Sequence, residues 1–283
     1  MIGRIKIRKI SVFYCFSYVN NANFVNIMNM QYLDITSKFF LVFGQEFILI
    51  PLIIIGFLAL NKKTYGHAIF LLLFTMIFNT FLKSIFQIPL AEHLNKTGYA
   101  FPSGHMQSAI VFYGWLWFAH KNALVRSITS IIILGVGCAL IQQKYHNLYD
   151  VLGAVLFGIL TLFIYAMVLQ IKLFRNKPFL LGYILIAFSV GLLFSMDSLP
   201  NHTFMAFMVL TGFTLSWTVF PDSTEMTLSF FKSMIGFICI VGIYFLLLQL
   251  KKYINLEYDI QWLIIGILMP LTARVLKGKQ GDE

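Results

Sequence analysis

Two short polar segments interrupt a chain that is otherwise rich in apolar residues, and each contains a histidine. The first, Phe101-Pro-Ser-Gly-His105, leads into the apolar run from Ile110 to Ala119. Backbone N–H groups at the start of a helix lack partners within the helix, so this turn suits an anion such as phosphate. The second is His146-Asn-Leu-Tyr-Asp150. Its spacing of four residues places an imidazole and a carboxylate on one helix face, the pairing that a nucleophilic or acid–base histidine requires.

These residue types suit phosphoryl transfer. One histidine would attack phosphorus and the other would protonate the leaving oxygen. Backbone N–H groups and Lys83, the only Lys or Arg in the apolar run before the turn, would hold the phosphate oxygens. The carboxylates near these segments are too few for a zinc or magnesium cage. We therefore expect no metal and no cofactor.

The composition indicates an integral membrane protein. Of the 283 residues, 59% are hydrophobic and 11% are charged, whereas soluble proteins average about 25% charged residues. The formal net charge is +10. Most Lys and Arg residues fall in short loops, where the positive-inside rule and anionic lipids account for them, so we expect no nucleic acid partner. The three cysteines are isolated in apolar runs and form no metal-binding pattern.

The fold predicted from the apolar runs is all-α: a polytopic transmembrane helical bundle with about nine spans, in a range of eight to ten. The predicted spans are Gln45–Leu60, His67–Phe86, Gly104–Ala119, Val125–Ile141, Asp150–Ile171, Phe179–Met196, Thr203–Phe220, Ser233–Leu250 and Ile260–Val275.

Basic loops predict the orientation. Clusters at 62–63, 120–126, 172–177 and 274–279 fall on one side if every span is real, and the positive-inside rule makes that side cytoplasmic. The polar segments 87–103 and 142–149 then share the opposite side. The basic N-terminus and Lys251-Lys252 also fall there, against the rule. We expect a multi-pass protein of the cell (inner) membrane whose site faces away from the cytoplasm.

The chain divides into three predicted regions. Residues 1–38 form an N-terminal arm that is signal-like or interfacial. A surface helix is expected over residues 31–44, from the end of this arm into the start of the core. Residues 39–178 form the helical core with the polar segments, and residues 179–283 add further transmembrane helices without a catalytic pair. The polar residues of this last region are expected to be solvated in loops: Asp197, His202, Asp222 and Glu225.

The order and spacing of the motifs resemble the type 2 phosphatidic acid phosphatase superfamily over about residues 40–172. That family's pattern is Lys-x6-Arg-Pro, then Pro-Ser-Gly-His, then Ser-Arg-x5-His-x3-Asp. The chain matches it at 101–105 and at His146-x3-Asp150, and Lys83-x-x-Phe86-x-x-Pro89 matches a common form of the first motif.

The resemblance implies a metal-independent lipid phosphatase with its motifs at the outer leaflet. It implies that His146 is the nucleophile, that Asp150 orients it and that His105 is the general acid. The residues implied to bind phosphate are Lys83, Ser103 and Gly104.

Both family arginines are absent. Leu90-Ala91 stands in place of Arg-Pro, and Ala139-Leu140 stands in place of Ser-Arg. Each arginine would donate charge-assisted bonds to phosphate, so their loss should cost several kcal/mol of transition-state stabilisation unless another group replaces them. Lys144, two residues before His146, is the nearest candidate for this replacement. The less favoured candidates are Lys96, Gln142 and Gln143.

Three functions stay open at this point. The first is hydrolysis of a lipid phosphate or isoprenoid diphosphate through a phosphohistidine. The second is transfer of a phospho-headgroup between lipids, since the sphingomyelin synthase branch keeps Ser-Gly-His and His-x3-Asp without the full arginine set. The third is lipid binding or transport without catalysis. The sequence names neither the lipid nor the oligomeric state.

Overall fold

A computed structural model describes residues 31–221, 228–254 and 258–277, and within these ranges the chain is helical and has no strand. An isolated bridge pairs Pro89 with Tyr99. The predicted all-α fold is therefore confirmed. The helices are α1, Gln31–Val42; α2, Glu46–Ile55, extended by a π-helical turn Gly56–Leu60; α3, Lys62–Phe86; α4, Gly104–Ala119; α5, Ala123–Gln142; α6, Leu148–Gln170; α7, Lys172–Asn176; α8, Phe179–Phe194; α9, Asn201–Val219; α10, Phe230–Ile254; and α11, Tyr258–Lys277.

A helix occupies each of the nine places where a span was predicted, but not all of them are long enough to cross alone. In the described ranges, six helices are long and apolar enough: α3, α5, α6, α9, α10 and α11. Helices α1 and α2, bent by 46°, together make a seventh candidate. Helices α4 and α8 have 16 residues each, or about 24 Å against a hydrocarbon core of about 30 Å. The count of nine spans stays a prediction.

The N-terminal prediction is only partly within the described residues. Residues 1–30 lie outside them. The helix expected over residues 31–44 is present as α1, and a turn at 43–45 leads from it into α2.

Helix α3 lies at the centre of the bundle and packs against α4, α8 and α9. Phe70 of α3 contacts Phe213 and Trp217 of α9, with ring centroids 5.3 and 5.4 Å apart. These rings are buried. Helix α9, which belongs to the C-terminal region, is thus part of the same core as α3.

Helices α9 and α11 approach each other closely because glycines face each other where they cross. A Cβ added to Gly212 would overlap the carbonyl oxygen of Leu263, and one added to Gly266 would overlap the carbonyl oxygen of Val209. Small residues allow such backbone contact between helices in a membrane.

Gly212→Ala is therefore expected to destabilise the bundle by about 1–3 kcal/mol, because the methyl group meets rigid backbone. The measurement is thermal unfolding of the purified protein in detergent. Gly191→Ala in α8 is the matched control, since no atom lies within 4 Å of its added Cβ. An equal loss of stability in both variants would contradict the close packing of α9 on α11.

Candidate active site

The polar residues of the two motifs lie at one end of the bundle because consecutive helices run in opposite directions. Helix α3 ends there, α4 begins there, α5 ends there and α6 begins there. The beginnings of α2 and α9 lie at the same end. The two motifs, 41 residues apart from His105 to His146 in the sequence, therefore meet in space.

His146 and Asp150 form a hydrogen-bonded pair, with 3.2 Å between Nδ1 and Oδ2. Asp150 is only 2% exposed. A carboxylate only accepts hydrogen bonds, so Nδ1 of the neutral imidazole carries the proton and Nε2 keeps its lone pair. In this tautomer Nε2 of His146 is able to act as a nucleophile.

The same carboxylate is fixed by the start of α6. Asn147 caps the helix by accepting the Asp150 N–H at 2.9 Å, and Oδ2 of Asp150 accepts the Asn147 N–H at 3.1 Å. This reciprocal capping box holds the carboxylate in place independently of its bond to the imidazole.

Burial lowers the pKa of His146 below its ordinary value of 6.5, and the positive charge of Lys83 acts in the same direction. The hydrogen bond to Asp150 and its negative charge oppose this shift. The imidazole is therefore neutral at pH 7, which is the form that can attack phosphorus.

Helix α4 begins in the turn that was predicted to bind an anion. Ser103 caps it, and the Ser103 N–H donates to the backbone carbonyl of Asp150 at 3.1 Å. The remaining N–H groups without a partner inside the helix are those of Gly104, His105 and Met106. The Ser103 hydroxyl is buried and has no hydrogen-bond partner in the described part of the chain. Asp150 thus joins the turn to the start of α6.

Two buried side-chain amides that the sequence analysis missed, those of Asn79 and Gln107, lie against the turn. Asn79 of α3 donates to the Pro102 carbonyl at 3.1 Å and to Oε1 of Gln107 at 2.7 Å. A Cβ on Gly104 would lie 3.1 Å from Oδ1 of Asn79, so glycine fits this position closely. A signal was available: Asn79 lies four residues before Lys83, on the same face of an apolar helix.

Lys83 is half-buried on α3, and its charge acts on both His105 and His146. The charge of Asp150 acts on Lys83 in turn. No hydrogen bond or ion pair engages its ammonium group within the described ranges. The structure therefore brings Lys83, His105, His146 and Asp150 together, with the lysine available for an anion.

Lys144 is placed differently. It is exposed and adopts a left-handed backbone conformation, φ 56°, just after α5. Its carbonyl accepts a bond from Nε2 of His93 at 2.9 Å. Among the described residues, nothing forms a hydrogen bond or ion pair with its side chain, and its role in binding phosphate stays a prediction. Lys96 was a less favoured candidate for the same role, and its charge acts on His105.

His202 was expected in a loop and exposed to solvent; it is exposed, but its placement in a loop was wrong. It lies in the first turn of α9, and its ring Nε2 is 3.4 Å from the hydroxyl of Thr80 on α3. The sequence predicted that this span begins at Thr203. Nothing in it indicated that α9 begins at Asn201 or that this end of α9 lies beside α3. Asp222 and Glu225, which were expected in a loop, lie outside the described residues.

One of three comparisons with known proteins found a match. Residues 64–174 match the family model of the PAP2 superfamily. This range spans α3 to α6 and contains each residue predicted from the motifs: Lys83, Ser103, Gly104, His105, Lys144, His146 and Asp150. No curated protein and no solved structure matches the chain. Within the described residues, no group of three or more His, Cys, Asp or Glu side chains could hold a metal ion.

Proposed function

We propose that this protein, a member of the type 2 phosphatidic acid phosphatase (PAP2) superfamily through residues 64–174, hydrolyses a lipid phosphate or isoprenoid diphosphate in the membrane through a phosphohistidine. The family supports phosphatase activity in general. The observation that carries the finer proposal is Asp150, whose side chain binds His146 and whose carbonyl binds the turn before His105.

In the first step, Nε2 of His146 attacks phosphorus and the bond from phosphorus to the leaving lipid oxygen breaks. Protonated His105 gives its proton to that oxygen, so the lipid leaves as an alcohol, or as a lipid monophosphate if the substrate is a diphosphate. In the second step, His105 takes a proton from water while the water oxygen attacks phosphorus. The bond between phosphorus and nitrogen breaks, phosphate leaves and His146 is restored.

Charge on the phosphate oxygens would be stabilised by Lys83 and by the N–H groups of Gly104 and His105. The N–H groups are held before substrate arrives by the start of α4, where Asn79 binds the Pro102 carbonyl. Helix α3 places Lys83 close enough for its charge to act on His105. Donors that need no rearrangement stabilise a transition state most effectively.

We also propose that the site faces away from the cytoplasm. The opposite end of the bundle carries the basic loops, and two of them are in direct contact there, with Lys63 Nζ donating to the Arg175 carbonyl at 3.2 Å. Concentration of Lys and Arg at that end supports a cytoplasmic location for it.

A lipid phosphotransferase is the second candidate, and the position of Leu140 favours it. The family arginine that falls here is replaced by a leucine that is only 2% exposed, so no guanidinium reaches the phosphate from α5. The transfer would use the same phosphohistidine, with the hydroxyl of an acceptor lipid in place of water in the second step.

The test is to follow phosphorus. Purified protein in detergent or lipid vesicles receives a mixture of ³²P-labelled lipid monophosphates and diphosphates in the presence of EDTA. A phosphatase releases labelled inorganic phosphate, whereas a transferase moves the label to an acceptor lipid. Absence of both products, and of label on the protein, would contradict an enzymatic function.

The pH dependence of kcat/KM gives a separate prediction. Neutral His146 attacks and protonated His146 does not, so the acid limb of the profile is the loss of activity as the pH falls through the pKa of His146. Because burial and Lys83 lower this pKa, the acid limb is expected below pH 6.5. Lys83→Gln removes a positive charge, and should move the acid limb to higher pH. An acid limb that does not respond to Lys83→Gln would contradict the assignment.

A further inference from the structure

Helix α1, which lies outside the segment that matches the family, forms hydrogen bonds with the end of α5 just before the histidine motif. The side-chain amide of Gln143 donates to Oδ1 of Asp34 at 2.7 Å and to the hydroxyl of Ser37 at 2.6 Å. A carboxylate only accepts hydrogen bonds, so the NH₂ group of the amide must point towards Asp34. The Ser37 hydroxyl in turn donates to the Asp34 carbonyl at 2.9 Å. Both protons of the Gln143 amide are therefore engaged by α1.

Helix α1 is itself fixed to the bundle on both sides of this contact. A Cβ added to Gly135 of α5 would overlap the ring of Phe40 in α1, so the two helices are in close contact there. The hydroxyl of Tyr113 in α4 donates to the carbonyl of Phe43, in the turn after α1, at 3.0 Å. The groups that accept from Gln143 are therefore held in place by α4 and α5.

The chain from α5 to His146 forms a tight turn that contains one strained residue. Gln143 is the C-cap of α5, and Lys144 after it has the left-handed φ of 56°. The N–H groups of Tyr145 and His146 both donate to the carbonyl of Leu140, at 3.0 and 3.3 Å. Helices often end in this way, but usually with glycine at the left-handed position. A residue with a side chain is unfavourable there, so the turn depends on surrounding contacts to keep its shape.

Two contacts hold this turn, one at Gln143 and one at Lys144. Nε2 of His93 donates to the Lys144 carbonyl at 2.9 Å. His93 is exposed, whereas Ser37 is only 6% exposed, so water competes less with the contact between Gln143 and α1. Asp150 binds the ring of His146 from α6, but the backbone of His146 arrives from α5 through this turn. Its position therefore depends on the contact of Gln143 with α1.

We infer that Gln143 is a positioning residue: bound by Asp34 and Ser37 of α1, it fixes the turn that places His146 for attack. This inference rests on the proposed function, in which His146 is the nucleophile. It gives Gln143 a different role from the replacement of a family arginine, because both protons of its amide bind α1 and none is left for a phosphate oxygen.

The test reverses the polarity of the contact. Gln143→Glu places a second carboxylate beside Asp34 and is expected to lower kcat about 10-fold or more, since a reacting group displaced by about 1 Å can cost about 10²-fold. KM should stay within about 3-fold, because Lys83 and the start of α4 are unchanged. Adding Asp34→Asn supplies an NH₂ group that donates to the new carboxylate, and should bring kcat back to within about 3-fold of the wild type. The measurements are kcat and KM for phosphate release and thermal unfolding in detergent.

Lys38→Ala is the matched control on the same helix. It removes the exposed ion pair with Asp34, 2.7 Å long, and leaves the contact with Gln143. Exposed pairs contribute little, so kcat should stay as in the wild type. An equal fall of kcat in this control would overturn the inference, as would a fall in Gln143→Glu that Asp34→Asn does not reverse. A raised KM with an unchanged kcat would assign Gln143 to phosphate binding and would also overturn it.

Hydrogen–deuterium exchange tests the same inference without a substrate. Gln143→Ala removes the amide without adding a charge, and the N–H groups of Tyr145 and His146 should then exchange about 10-fold faster or more. The middle of α6 should exchange as in the wild type. Unchanged exchange at Tyr145 and His146 would overturn the inference. If the wild-type protein hydrolyses no lipid phosphate but the exchange responds, the proposed function fails and the positioning of His146 by Gln143 stands.

Discussion

Replacing His146 by alanine is expected to lower phosphate release by about four orders of magnitude. In the proposed mechanism Nε2 of His146 is the nucleophile, and the Asp150 carboxylate binds Nδ1 of the same ring. Alanine removes the atom to which phosphorus must bind, so no covalent intermediate can form. The measurement is the initial rate with a labelled lipid phosphate, together with acid-quenched and alkali-quenched samples, because a phosphohistidine is labile in acid and stable in base.

His105→Ala is the control for this result. It keeps the nucleophile but removes the proton donor, and a substrate with a good leaving group needs no donor. With such a substrate the variant should form the phosphorylated protein and hydrolyse it slowly, because the water-activating base is also missing. Phosphorylated protein in the His146→Ala variant would contradict the assignment of the nucleophile.

Asp150→Asn is expected to lower kcat by about 10³-fold while the protein stays folded. The amide has no negative charge to stabilise the imidazolium, and its NH₂ group can hold the wrong tautomer of His146. The backbone carbonyl that accepts the Ser103 N–H is unchanged by this substitution. The measurement is kcat together with thermal unfolding in detergent.

Asn147→Ala separates orientation of the histidine from stability of the helix. It removes the cap that accepts the Asp150 N–H, which should cost about 0.5–2 kcal/mol of stability. The bond between Asp150 and His146 is retained, so activity should fall less than 10-fold. If Asp150→Asn were as active as Asn147→Ala, the carboxylate would have only a structural role.

Local features of the sequence predicted the helices and the central pair. Apolar runs mark each helix because burial and lipid both favour apolar side chains over about 20 residues. His146 precedes the N-cap Asn147, so the pair does not lie on one helix face as expected, but it still depends only on the chain around the start of α6. The start of α4 after Ser103 is local in the same sense. Such features need no knowledge of which helices are neighbours.

Features that depend on helix packing could not be predicted in this way. The contact of His202 with Thr80 exists because α9 packs against α3, and nothing in either apolar run specifies that pairing. The bonds of Asn79 beneath the turn depend likewise on α3 lying against α4. The number of membrane spans could not be predicted for a different reason. Helix α4 has only 16 residues, so its position in the bilayer depends on the helices packed against it.

The link between Asp150 and Ser103 has a mechanical consequence for an enzyme that works in a bilayer of varying thickness. Transmembrane helices tilt and slide when lipid thickness changes. One residue at the start of α6 binds the His146 imidazole through its carboxylate and the turn before His105 through its carbonyl. We therefore expect the two segments to move together when α6 shifts, so that the distance between them changes less than the tilt of the surrounding helices.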